Sequence, residues 1–358
     1  MCTRGILGVA LGLFLLAGQA MAATISGDIY APGVATVNAG SATVRSIAAP
    51  GGILQKRFRQ LRNERVASVE QFGSSEAMAS PYYRGNNSEF ANRIWGSAIY
   101  TNIDVDSSHG QLGSGYDYKA WGGALGYDHA FGDFTLGAAF TYTRGDYDAK
   151  GIRDDITTDN YGVSVYATYY NCSGFFGDIF GGYNYGDNDM KVFSAGAWNS
   201  ASPHTDSYWI GGTVGYDAKL TENFTLTPSL GLLWMHSESS SYGLGADRFG
   251  KVKQKSLLLP VEVAATYTHQ IDDCSKVDFT VKGGYAYDFK NDGGKGVYSS
   301  GLGAVTPIRG VDPGRHNWNV GAGIKYSRDR FDIGAEYRFD GRKDYKGHSV
   351  SATIGINF

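Results

Sequence analysis

Seven histidines, at positions 109, 129, 204, 236, 269, 316 and 348, are the residues best suited to metal ligation or proton transfer. No two of them stand in HExxH or at another paired-ligand interval, so they read as solvated residues near strand ends and in loops. Aspartates and glutamates are frequent, but nothing in their spacing gathers two of them with a histidine for acid–base work. No G-x-S-x-G nucleophile setting occurs. Arg144-Gly145-Asp146 would be an adhesive tripeptide on a loop, yet here it continues a strand. Cys172 and Cys274 fall in short turns placed far apart, whereas a disulfide needs Cα atoms within about 7 Å. Two free thiols are expected, and the residues give no enzyme, no metal site and no cofactor.

The elements that hold these residues are strands. From Asn92 to Phe358 apolar and polar residues alternate with period two, in segments of about ten residues. In the last segment Val350, Ala352, Ile354, Ile356 and Phe358 point one way, and Ser349, Ser351, Thr353, Gly355 and Asn357 the other. The preceding one sets Phe331, Ile333, Ala335, Tyr337 and Phe339 against Asp332, Gly334, Glu336, Arg338 and Asp340. Twelve strands are expected, over residues 93–104, 119–131, 134–147, 161–170, 175–187, 207–219, 224–238, 256–270, 277–289, 317–328, 331–341 and 347–358. Their connections alternate between short (Gly132-Asp133, Thr221-Glu222-Asn223, Asp329-Arg330) and long and polar (105–117, 290–316). Short turns on one side and long loops on the other, with an even strand count, predict an all-β, antiparallel transmembrane barrel. The 51 glycines, 25 tyrosines and only 8 prolines suit tightly paired strands with interfacial aromatic belts. A net charge of −3 gives no case for a nucleic-acid partner.

The N-terminal quarter is built differently. Arg4, the apolar run 5–17 and Ala20-Met21-Ala22 form a secretory signal over residues 1–22, too short to span a membrane, and Cys2 leaves with it. Residues 23–50 carry little charge and no periodicity. Residues 51–72 read as a helix, because ILQKRFRQLRNERVASVEQF lies between the breaks Pro50-Gly51-Gly52 and Gly73-Ser74-Ser75. Lys56, Arg57, Arg59, Arg62 and Arg65, against Glu64 and Glu70, make it cationic. A connecting loop, 73–92, leads to a barrel over 93–358.

These parts in this order resemble the translocator β-domain of autotransporters, the type V secretion proteins. The resemblance covers residues 53–358. It rests on the helical linker, on Arg93-Ile94-Trp95-Gly96 opening the first strand, on GYDYKAWGGALGYDHAFGDFTLGAAFTYTRGDYD (115–148), and on a terminal Phe358 after alternating apolar residues. It implies a twelve-stranded barrel of the cell outer membrane that encloses the linker helix and exports an N-terminal passenger. Implied partners are outer-membrane lipids, the Sec export machinery, periplasmic chaperones and the barrel-assembly machinery, with the chain a monomer. Phe358, with Ile356 and Ile354, resembles the signal which that machinery reads. The sequence departs from the family in its passenger: only residues 23–50 precede the helix, too few for an independent fold. Asn63 is followed by Glu64, so cleavage at an Asn-Asn or Asn-Asp pair is not supported.

Geometry supports the enclosed helix independently. Twelve strands spaced about 4.8 Å and tilted about 40° give a backbone diameter of roughly 24 Å. Side chains leave a lumen about as wide as one helix, and twenty helical residues span about 30 Å. Asp217, Glu262, Asp278, Asp332 and Glu336 are expected on the inner face, opposite the helix cations. The alternative functions are a small porin-like channel, with the helix outside or mobile, and a surface interaction protein acting through the loop 290–316.

Overall fold

The structure is a computed structural model that describes residues 91–106, 115–151, 153–171, 173–194, 197–272, 274–290, 292–299, 305–309 and 314–358. The signal, the short segment 23–50, the linker helix with its five cations, and Cys172 and His109 lie outside the described residues.

Twelve long strands alternate between two faces. They are β1 (Asn92–Val105), β2 (Tyr116–Phe131), β3 (Phe134–Ala149), β4 (Asp154–Tyr170), β5 (Phe175–Ser194) and β6 (His204–Tyr216). The second half holds β7 (Phe224–Ser239), β8 (Val252–Asp272), β9 (Ser275–Asp288), β10 (His316–Arg328), β11 (Phe331–Arg342) and β12 (Tyr345–Asn357). Each pairs antiparallel with the next, and β12 pairs with β1, so the ring has no open edge. Following the registers once round the ring arrives about 14 residues further along β1, a stagger that tilts the strands by about 40°.

The outer face explains why the sequence folds this way. Leu125, Val163, Val165, Ile179, Ile210 and Val281 are exposed there, which only a hydrocarbon environment makes favourable. Two aromatic belts bound this band: Phe131, Phe134, Phe175, Phe279 and Phe358 at one level, and Tyr100, Trp121, Tyr161, Tyr208 and Trp318 at the other. Phe131 and Trp121 are ten residues apart on β2, which at this tilt is about 25 Å, the height of an outer-membrane apolar band. Inner-face aromatics lie flat across glycines of the neighbouring strand. A Cβ at Gly126 would meet the Trp95 ring at 2.3 Å, and one at Gly137 the Tyr166 ring at 2.3 Å.

All twelve expected strands are present, but their outer ends run further than the sequence indicated. β4 starts at Asp154 instead of 161, β5 continues to Ser194 instead of 187, and β8 starts at Val252 instead of 256. The segment 290–316 is not wholly loop: Asp292–Ser299 and Val305–Arg309 pair there as a hairpin. The division into short and long turns is also less regular than expected. Lys343-Asp344, with Asp344 at φ 55°, makes a two-residue turn on the side of the long loops.

Candidate functional site in the lumen

The inner face is a continuous surface on which all twelve strands place side chains, and it is layered. At the end near the short turns, charges are paired. Arg93 of β1 meets Asp332 of β11 at 2.6 Å, and both side chains are almost wholly buried. Trp95 donates its indole N–H to Tyr166 at 2.9 Å, and Tyr166 donates to Asp128. Thr227 donates to Asp217 at 2.6 Å and Thr268 to Asp278 at 2.7 Å, with Lys325 4.0 Å from Asp278.

The middle of the wall is polar. Lys282 meets Glu336 at 2.5 Å, and Arg338 lies 3.7 Å from Glu262 and 2.8 Å from Asp340. On the other half of the ring stand uncharged residues: Thr141 and Thr143 on β3, Asn160 on β4, Asn184 and Asn188 on β5. Asn184 donates to Asn160 at 3.3 Å, and Thr158 to Asn188 at 2.9 Å.

Towards the long loops the inner face turns apolar over half the circumference. Ile103, Tyr118, Tyr147, Ile156 and Met190 are successive cross-strand partners from β1 to β5. One step further out follow Tyr345, Val105, Tyr116 and Ala149, again as partners from β12 through β3. All belong to one buried cluster, and Tyr116 stacks on Tyr147 at 4.8 Å between ring centres. Above it Val192, Leu244, Phe249 and Tyr298 extend the apolar surface into the outer hairpins. At the rim itself Lys150 binds Asp104, and Asp106 at 3.2 Å. Burial pulls the Lys150 ammonium's pKa down, but the hydrogen bonds to Asp104 and Asp106 outweigh it and hold it above 10.5.

The five expected lumen acids all stand on this inner face. Sequence reasoning put Arg338 on the same face as Asp332 and Glu336 but did not pair the wall's cations with its acids. Asp332, Glu336 and Glu262 are engaged by Arg93, Lys282 and Arg338 before any helix is considered. The signal was available, because the alternation that places Asp278 and Glu336 inside also places Lys282 and Arg338 inside. Carboxylates still outnumber cations: Asp128, Asp178, Asp288 and Asp340 add to the five, against Arg93, Lys282, Lys325, Arg338 and Arg342. The lumen therefore keeps an acidic excess.

The other candidates take ordinary places. Arg144-Gly145-Asp146 lies within β3, and Arg144 pairs with Asp159 at 3.2 Å, so the tripeptide is held in a ladder. Among the described residues no group of histidines, cysteines and acids could hold a metal ion. His316 and His348 each sit against a belt tyrosine, Tyr285 at 2.5 Å and Tyr337 at 2.8 Å. Cys274 is exposed. Phe358, Ile356 and Ile354 face outward, exposed to the apolar band.

Residues 94–338 match the model of the autotransporter β-domain. The chain belongs to the autotransporter β-domain family. Solved translocators share its architecture. The translocator domain of autotransporter NalP from Neisseria meningitidis superposes with a TM-score of 0.63 at 13% identity, covering 90% of this chain and 99% of that one. The β domain of the Bordetella autotransporter BrkA gives 0.59 at 16% identity, over 75% of this chain and 100% of that one. The transport unit of AIDA-I from Escherichia coli gives 0.57 at 14% identity, over 84% and 98%. No curated protein sequence matches the chain. At these identities the likeness establishes the closed twelve-stranded fold, and with the family it makes this autotransporter barrel an outer-membrane protein.

Proposed function

We propose that the chain is the translocator of an autotransporter: its lumen carries the N-terminal segment to the cell surface, and residues 51–72 remain behind as a helix within it. The observation that supports this reading best is the state of the inner wall. Asn160, Ser164, Asn184, Glu262 and Asp278 face a lumen roughly 24 Å across between backbones, yet each is buried, as a filled lumen requires. A cation-rich helix suits the occupant in width, in length and in charge. Lys56, Arg57, Arg59, Arg62 and Arg65 would meet the acidic excess that the wall's own ion pairs leave over.

Delivery follows from the same architecture. The signal 1–22 directs the chain to the Sec machinery, periplasmic chaperones carry it, and the barrel-assembly machinery recognises the Ile354, Ile356, Phe358 face. The barrel acts as a monomer among outer-membrane lipids, and it translocates without chemistry of its own. Deleting residues 53–70 tests the lumen occupant: single-channel conductance in planar bilayers should rise sharply. Unchanged conductance would leave the porin-like reading in its place.

A further inference from the structure

A lumen that only conducts a polypeptide needs a polar wall, and the middle of this one is lined by Ser, Thr and Asn. Its outer end is not. Tyr116, Tyr118 and Tyr147 are 0–1% exposed although their side chains point inward, and Ile103, Ile156 and Met190 stand beside them at 2%. Inward apolar residues in front of an open, water-filled mouth would be costly and exposed. Their burial means that chain of the same protein covers them.

Position selects the segment. β1 climbs from Arg93, beside the short turns, to Val105, about 30 Å away at this tilt. A helix over 51–72 spans about the same distance, with its C-terminal end joined to β1 through 73–92. Its N-terminal end would then stand level with the Ile103–Tyr147 row, so residue 50 and those before it enter the apolar half of the mouth. Composition agrees. Residues 23–50 hold only Asp28 and Arg45 as charges, with Ile25, Ile29, Tyr30, Val34, Val37, Val44 and Ile47 available for burial. The outer connection 107–114, SSHGQLGS, offers a single Leu112.

We propose that residues 23–50 are retained in the outer mouth, seated on the Ile103–Tyr118–Tyr147–Met190 surface, instead of being released as a free passenger. The inference rests on the helix reading above, and one experiment separates the two. A photo-reactive phenylalanine analogue replaces Tyr147 in one full-length variant and Asn184 in another, in intact cells, with crosslinked peptides mapped by mass spectrometry. Crosslinks from position 147 to residues 23–50 are expected, and crosslinks from position 184 to residues 53–72. If position 184 reaches the helix while position 147 reaches only 107–114 or 300–313, or nothing, the retained segment is refuted and the helix stands. If position 184 fails to reach 53–72, the helix reading fails with it. As a second readout, Met190→Cys with Cys172 and Cys274 replaced by Ser should be shielded from an external, membrane-impermeant maleimide. It should lose that shielding when 23–50 is deleted. Equal labelling in both chains overturns the proposal.

Discussion

Phe358 and Asn92 exchange two backbone hydrogen bonds, one at 2.9 Å and its reciprocal at 3.0 Å, so the last residue of the chain forms the final rung of the β12–β1 seam. Its ring lies in the aromatic belt on the lipid side. Closure of the ring and an outward belt aromatic therefore meet in one residue.

Removing Phe358 deletes the rung and the belt aromatic together. The fraction of chain that runs as a folded, heat-modifiable species in outer-membrane preparations should fall. Phe358→Ala keeps the backbone rung, so a similar fall in that variant assigns the effect to the side chain as an assembly signal. Normal insertion of both variants would dismiss that signal.

Lys282 and Glu336 make a buried contact across β9, β10 and β11 at 2.5 Å. Lys282→Met leaves the Glu336 carboxylate without that cation in the wall, which should cost about 3 kcal/mol in reversible urea unfolding from micelles. Pairing it with Glu336→Leu should recover most of the loss. A double variant as unstable as the single one contradicts this account of the wall.

Val165 lies midway along β4 on the lipid face and is 66% exposed. Val165→Arg should destabilise the barrel by about 2–4 kcal/mol in phospholipid bilayers, as a charge near the midplane does. Cross-linking or fluorescence probes that found this position in the lumen would invert the assignment of faces.

The rim contact of Lys150 has a defined pH behaviour. Its pKa is raised in the folded state, so its contribution is complete below 10.5, the unfolded value, and is lost as pH rises through the higher folded value. The stability difference between the parent and Lys150→Met should therefore stay constant from neutral pH to mildly alkaline conditions, then disappear in strong alkali. A difference that fades on acidification from neutral pH towards weakly acidic conditions would point to another group.

The barrel was legible in the sequence because, within the membrane, the outward positions of the strands are apolar and most inward ones are polar or small. The reading stopped where this rule stops. In residues 154–160, DDITTDN, the outward side chains have passed the tyrosine belt and stand in water, so Asp155, Thr157 and Asp159 face out where an apolar residue would have marked a strand. In β1 the apolar face switches sides after Thr101: Ile103 and Val105 point in while Asn102 and Asp104 point out. The alternation continues there with reversed meaning. The inner acids were placed by the same rule, but their partners are set by register between strands distant in sequence, as with Arg93 and Asp332.

The ionic groups of the middle wall are not spread evenly round the circumference. Glu262, Lys282, Glu336 and Arg338 come from β8, β9 and β11, while β3, β4 and β5 answer with threonine and asparagine. A ring with one charged flank and one neutral flank has a preferred azimuth. Any charged body inside it would meet a potential that changes with rotation about the axis, so the wall has an orientation as a keyway has.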